Sequence, residues 1–169
     1  VVLAAAKLLK SDPSIKIVLL GSGKEKPRLQ EAAKEHGLTN VVFLPPVPKH
    51  KMRTALAAAD ACLAILKPIE MYKTTYPNKV FDYMAAGRPV ILAIDGVIRE
   101  VIEEAQAGIF VPPGNPAALA DTIKECAANR QKYCTMGMHG RKAIETRFSR
   151  QALADKFTAL VESIWSKNG

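Results

Sequence analysis

Five short apolar runs, each separated from the next by a helix-patterned segment, constrain this chain more than any other feature. They are Lys16–Leu20, Val41–Leu44, Cys62–Leu66, Val90–Ala93 and Ile109–Val111. Their apolar character is continuous rather than alternating, which marks strands buried on both faces. Helical patterns cover Val1–Lys10, Lys26–His36, Lys51–Ala59, Lys79–Ala86, Ile98–Ala105, Ala117–Asn129, Thr135–Thr146 and Arg150–Lys167. With right-handed crossovers, this alternation predicts an α/β fold: a doubly wound, Rossmann-like parallel sheet of about five or six strands. The joints agree. Gly37 and Gly87 stand where helices must stop in the left-handed conformation. Asn115 precedes Pro116 as an N-cap before a first-turn proline, and Ser149 can cap the last helix. Leu153, Phe157, Leu160 and Ile164 form one stripe on that helix. Met52, Leu56 and Ala59 read as core positions.

The 169 residues fit one domain. No apolar run approaches membrane-spanning length, and Val1–Leu9 lacks the charged lead-in and cleavage site of a secretory signal. Cys62, Cys126 and Cys134 are odd in number and scattered, which points to a reducing, cytoplasmic compartment. They and the dispersed His36, His50 and His139 predict no metal site. The net charge of +8 can draw in a pyrophosphate or an anionic membrane surface. A mild basic excess lies at Arg141, Lys142, Arg147 and Arg150, but most of the charge reads as solvated surface. Few aromatics interleave with the basic residues, which argues against a nucleic-acid platform. The opening helix has no strand before it, so the chain reads as a piece of a longer protein.

Ligands of such sheets bind beyond the carboxyl ends of the strands. The loops there are Gly21–Pro27, Pro45–His50, Lys67–Asn78 and Asp95–Val97. Gly21-Ser22-Gly23 follows an apolar run, but Lys26 occupies the third glycine position of a dinucleotide fingerprint. Glu25 after Lys24 rules out a P-loop. Two readings stay open: a tight turn, or close approach of a ligand or neighbouring domain. Pro45, Pro46 and Pro48 stiffen the second loop, which is either a rigid turn or a wall for a flat base. The third loop, long and polar, carries Lys67, Glu70, Lys73, Thr74, Thr75, Tyr76, Asn78 and Lys79 without a strand or helix pattern. It runs through Pro77 into a helix bearing Lys79 and Asp82. Those two residues make either an exposed ion pair, worth under about 1 kcal/mol, or a ribose-accepting carboxylate beside a phosphate-binding cation and free helix N–H groups.

Taken in order, Leu20-Gly21-Ser22-Gly23, Asn40–Leu44, Ala58-Ala59-Asp60, Val80–Ile91 and Ala107–Pro116 resemble the donor-binding C-terminal half of family 4 ("group 1") retaining glycosyltransferases of GT-B fold. Met136–Arg141 and Phe148-Ser149 continue the resemblance to the end of the chain. It implies that Asp82 stands at the second Glu of the family's Glu-x7-Glu motif, the ribose ligand. Thr74 stands at the first, the sugar ligand, and Glu70 lies too far upstream to replace it. Pro77-Asn78-Lys79 resembles a subgroup that makes bacterial surface polysaccharides from UDP-linked N-acetylated amino sugars. The family's phosphate-binding Arg and Lys, and its acceptor-binding N-terminal domain, would lie upstream of Val1. The last helix would pack across that domain.

The resemblance therefore implies metal-free, cofactor-free transfer of a hexosyl or N-acetylaminosugar group, with retention, from a nucleotide donor, UDP-linked by preference. The acceptor would be a glycan or a lipid-linked molecule, met at the inner face of the membrane. In this scheme Asp82 holds the ribose, Pro46, Val47 and Lys49 border the base, and Thr74, Thr75, Tyr76, Pro77, Asn78 and Lys79 cradle diphosphate and sugar. Gly21 and Gly23 permit close approach. The chain by itself is expected to bind nucleotide weakly and to catalyse nothing. The alternatives are a non-catalytic nucleotide-binding or interaction domain and half of a GT-B sugar-nucleotide epimerase. The latter would need acidic and histidine groups at the cleft.

Overall fold

The computed structural model describes residues 1–168, with side chains through residue 165. Its helices are α1 Val2–Leu8, α2 Lys26–Glu35, α3 Lys49–Ala57, α4 Asn78–Ala85, α5 Val97–Glu104, α6 Pro116–Ala128, α7 Arg130–Arg147 and α8 Arg150–Asn168. Its strands are β1 Ile17–Leu20, β2 Val41–Leu44, β3 Cys62–Ile65, β4 Val90–Ala93 and β5 Gly108–Phe110. Every pairing is parallel: Ile17 opposite Val41, Cys62 opposite Val90, and Val90 opposite Gly108. The doubly wound α/β expectation holds.

The sheet itself is different from the expected one. Its five strands are hydrogen-bonded as a pair, β1–β2, and a triplet, β3–β4–β5, and among the described residues no continuous sheet of five or six forms. The division lies in the hydrogen bonding rather than in the layering. Ile17 of β1, Ile91 of β4 and Val111 share one core with Ala5, Ala6 and Leu9 at α1 and Leu119 and Ala120 of α6. A second core gathers Val90 and Leu92 with Val80 and Met84 of α4, Ile98 and Ile102 of α5, and Ala143 of α7. Successive residues of β4 thus alternate between two cores, as the strand period requires. At about 1.5–3 kcal/mol for each large apolar side chain fully buried, the two layers hold the strand from both sides.

The predicted joints form as drawn. Gly37 and Gly87 take φ of 56° and 68°. Asn115 Oδ1 accepts from the Ala118 N–H at 3.0 Å, and Ser149 Oγ from the Ala152 N–H at 3.1 Å. Three expectations need correction. The loop after β3 contains a 3-10 turn, Glu70–Thr74, because Tyr72 and Thr75 N–H groups find the Ile69 and Tyr72 carbonyls. Helix α7 starts five residues before the expected Thr135, continuing almost directly from α6. Met52, Leu56 and Ala59 are not core positions: α3 buries no residue and joins neither core. The α8 stripe is bare, with Phe157 69% exposed and Leu160 57%. No helix among the described residues is long and apolar enough to cross a membrane.

Candidate functional site

Parallel strands deliver the loops after β1 to β5 to one end of the domain, and two lysines organise that end. Lys26 opens α2 and donates to the carbonyls of Gly21 at 2.7 Å and Leu44 at 2.6 Å. It ties the exits of β1 and β2 together, the task that falls to it in place of a third fingerprint glycine. Gly21 has φ of 133°, so the turn needs glycine there. A Cβ at either Gly21 or Gly23 would meet nothing, so both backbones are open to an approaching group. Pro46 and Lys49 are exposed beside them, and Val47 is half-buried.

Lys79 does the corresponding work at β3. Its ammonium donates to the Ile65 carbonyl at 2.9 Å, and burial pulls its pKa below the ordinary lysine value. The sequence-based alternative of an ion pair with Asp82 is therefore not what forms. Asp82 is exposed on α4 and, among the described residues, makes no ion pair. Pro77 at the N-cap gives the first turn of α4 no side-chain partner, which leaves N–H groups there for an anion. Thr74 and Thr75 both donate to the Met71 carbonyl, at 3.2 and 3.1 Å, and so close the 3-10 turn. Tyr76 is exposed and lies 6.5 Å from the Phe81 ring, which meets Phe148 edge-on at 5.4 Å. Asn78, the first residue of α4, is exposed and Pro77 half-buried.

Beside these residues is a cleft of about 250 Å³ lined by Lys67, Glu70, Tyr72, Lys73, Asp95 and Pro113, among others. Asp95 Oδ1 accepts from the Gly96 N–H at 3.0 Å and stands 3.4 Å from Arg99. Arg99 is fixed in turn by Glu103 at 2.7 Å and by the Phe110 ring beneath its guanidinium at 3.9 Å. The 3-10 turn rests on Gly96, where an added Cβ would collide with the Lys73 backbone. The Glu70 carboxylate, 2.8 Å away, raises the Lys73 pKa. None of the twelve residues singled out from sequence lines this cleft. Lys67, Glu70 and Lys73 fall in the loop flagged for its polarity and length, and Asp95 in a loop flagged for its position. Tyr72 lies in the same loop but is not among the polar residues named there. The signal for Asp95 is its place between the apolar end of β4 and a glycine that opens a helix.

Parallel strands covered by helices, with a cleft at their carboxyl edge, define a Rossmann-like α/β domain. The chain belongs to the group 1 glycosyl transferases, whose family model matches residues 1–129. A D-inositol 3-phosphate glycosyltransferase of Frankia alni is 30% identical over 130 residues, 71% of this chain and 31% of the relative. The "Probable glycosyltransferase WbjE" of Pseudomonas aeruginosa is 25% identical over 169 residues, 99% of this chain and 41% of the relative. The chain thus spans less than half the length of either. HepE of Anabaena, solved in complex with UDP-glucose, superimposes with a TM-score of 0.77 at 22% identity, over 95% of this chain and 44% of that one. At that identity the likeness is one of fold, and the fold is that of GT-B glycosyltransferases.

Proposed function

We propose that this domain holds the nucleotide-sugar donor of a retaining glycosyltransferase, a UDP-sugar by preference, for transfer to a glycan or lipid-linked acceptor carried by a second domain of the same protein. The observation that carries the reading is the pairing of Asp82 and Lys79 on one helix. An exposed, unpaired carboxylate stands one turn from an ammonium that is already fixed at a strand exit. A carboxylate accepts ribose hydroxyls, and a lysine with uncapped helix N–H groups meets phosphate oxygens. The UDP-glucose bound to HepE supports the donor class.

In this reading Asp82 binds the ribose, Pro46, Val47 and Lys49 border the base, and the Thr74–Lys79 segment faces diphosphate and sugar. Gly21 and Gly23 leave room for the nucleotide. Charge that develops on the departing diphosphate is met by Lys79 and helix N-termini aimed at it beforehand, which is the source of rate enhancement without a metal or cofactor. The transferred group is a hexose or an N-acetylated amino sugar, the latter following from the Pro77-Asn78-Lys79 resemblance. The setting is cytoplasmic, at the inner face of the membrane. The 169 residues alone bind nucleotide weakly and transfer nothing.

Calorimetric titration of the longer protein with UDP and UDP-sugars tests the reading, and the absence of heat from every nucleotide overturns it. A second reading, a non-catalytic nucleotide-binding domain, is favoured by Thr74. It stands where the family has its sugar-binding Glu and spends its hydroxyl on the Met71 carbonyl. Nucleotide binding with no sugar transfer to any acceptor would select it.

A further inference from the structure

The cleft beside the Glu70–Thr74 turn uses none of the residues that the functional reading needs. Lys67, Glu70, Tyr72 and Lys73 line it from the β3 exit, Asp95 from the β4 exit and Pro113 from beyond β5. Gly21, Gly23 and the residues of α4 are not among its lining. A nucleotide needs more room, since pockets for drug-sized ligands run from about 300 Å³ upward and this one measures about 250 Å³. The volume suits one small ring. Both side walls are fixed before any ligand arrives. The Lys73 backbone is seated on Gly96, and Asp95 is held by the Gly96 N–H at 3.0 Å and by Arg99 at 3.4 Å.

The lining mixes donors with acceptors. Lys67 and Lys73 bring ammonium groups and Glu70 and Asp95 bring carboxylates, so these side chains carry no net charge. An anion meets two carboxylates there and a cation two ammoniums, and neither gains from the field. A hydroxyl is different, because it donates and accepts at once. Several polar atoms are open to it. Among the described residues the Lys67 ammonium and the Tyr72 hydroxyl have no hydrogen-bond or ion-pair partner, and Asp95 engages Gly96 and Arg99 through Oδ1, which leaves Oδ2. Tyr72 is half-buried and offers an apolar body with a polar tip. Pro113 adds apolar surface. A sugar ring has the matching pattern, with hydroxyls around its rim and C–H groups on its faces.

We propose that this cleft holds one neutral sugar residue of the glycan acceptor. Tyr72 and Pro113 meet its C–H faces, Asp95 and Glu70 accept from its hydroxyls, and Lys67 donates to one of them. Lys73 lines the cleft, and Thr74, the next residue, opens the segment assigned to diphosphate and sugar. The 3-10 turn is then the wall shared by the two sites, and the glycan is anchored one turn away from the donor. That the sugar belongs to an acceptor rests on the donor-domain reading. That the cleft binds a sugar rests on its lining alone. The donor's own sugar has the same chemistry, so the test separates the two sources.

Amide chemical shifts of the longer protein test it, in titrations with the methyl glycosides of glucose, galactose, mannose and N-acetylglucosamine. At least one glycoside is expected to shift the amides of Glu70, Tyr72, Lys73 and Asp95, with or without UDP present. Tyr72→Ala should weaken that glycoside at least tenfold. Lys67→Gln, an exposed change with no partner to lose, should weaken it at least threefold, and UDP affinity should be unchanged in both variants. Asp82→Ala should leave glycoside binding unaltered, so the two sites are read separately. A response to glycoside with none to UDP ends the donor reading and leaves the sugar site standing. No shift at these amides with any of the four glycosides overturns the proposal. So does a sugar that reaches the cleft only when attached to UDP, which would give the cleft to the donor. A glucuronide that binds tenfold tighter than the glucoside overturns it too, because the ligand would then be an anion.

Discussion

The backbone of Lys73 lies where the Cβ of any residue other than glycine at position 96 would have to be. One contact thereby joins the 3-10 turn of the β3–α4 loop to the start of α5 and sets the width of the cleft between them. Gly96 also has φ of 95°, which side chains resist. Gly96→Ala is expected to cost about 1–3 kcal/mol from the backbone conformation alone and to push the turn outward. Urea unfolding gives the first quantity. Faster proteolysis within 67–77 reports the second.

Asp82 separates function from stability. It is exposed and unpaired, so Asp82→Ala should change folding stability by no more than about 0.5 kcal/mol. In the proposed reading the change removes a charged hydrogen-bond partner for ribose, and should weaken UDP binding in the longer protein at least tenfold, about 1.4 kcal/mol. Calorimetry and urea unfolding on the same preparation decide it. Unchanged affinity would remove Asp82 from the site.

Lys79 holds the Ile65 carbonyl and, in the proposed reading, also meets the diphosphate, so substitution should expose both tasks. Lys79→Met leaves the Ile65 carbonyl without its donor, and the lost charge-assisted bond is worth about 1.5–3 kcal/mol. It should also weaken UDP relative to uridine, because only the former carries phosphates. Equal losses for the two ligands would confine Lys79 to holding the strand.

Alkaline pH should unfold the domain in a particular window. Burial pushes the Cys62 and Cys126 thiols from 9.0 up to about 11, so above pH 9 the unfolded chain releases protons that the folded chain keeps. The stability tied to these thiols is complete below pH 9 and is lost as pH rises through about 11. Tyr83, raised to about 12 by burial, acts in the same direction at higher pH. Lys79, lowered by burial, acts oppositely. The urea midpoint should therefore fall between pH 9 and 11, and fall less in a Cys62→Val, Cys126→Ala variant.

Asn40 is the buried polar residue of the first core, 2% exposed, with its amide donating to the Ala6 carbonyl at 2.8 Å. Asn40→Ala strands that carbonyl and should cost about 1–3 kcal/mol by urea unfolding. A hydroxyl cannot span the same distance, so Asn40→Ser should recover little of it.

Much of this was legible in the order of residues, because period and punctuation are local properties. A continuous apolar run such as Val90–Ala93 has few ways to be satisfied other than a strand covered on both faces. Gly87 and Asn115 name their backbone conformations outright. The family was legible for the same reason, as an ordered set of short motifs. What periodicity could not show is which apolar faces meet. Met52 and Leu56 have helical spacing yet reach neither core. Gly137 in α7 reads as a weak helix position until its neighbour is known: an added Cβ would strike the Gly87 carbonyl, so it lets α7 rest on the α4–β4 turn.

The sequence by itself determined the alternating strands and helices, the caps, the family and the end of the domain where the strand-exit loops gather, since each follows from patterns within a few residues. Only the tertiary structure decided that Lys79 holds the Ile65 carbonyl instead of Asp82, that Lys73 seats on Gly96, and that the five strands pair as two and three. Those outcomes turn on groups distant in sequence competing for one carbonyl, one gap or one sheet edge, and spacing along the chain does not record who wins.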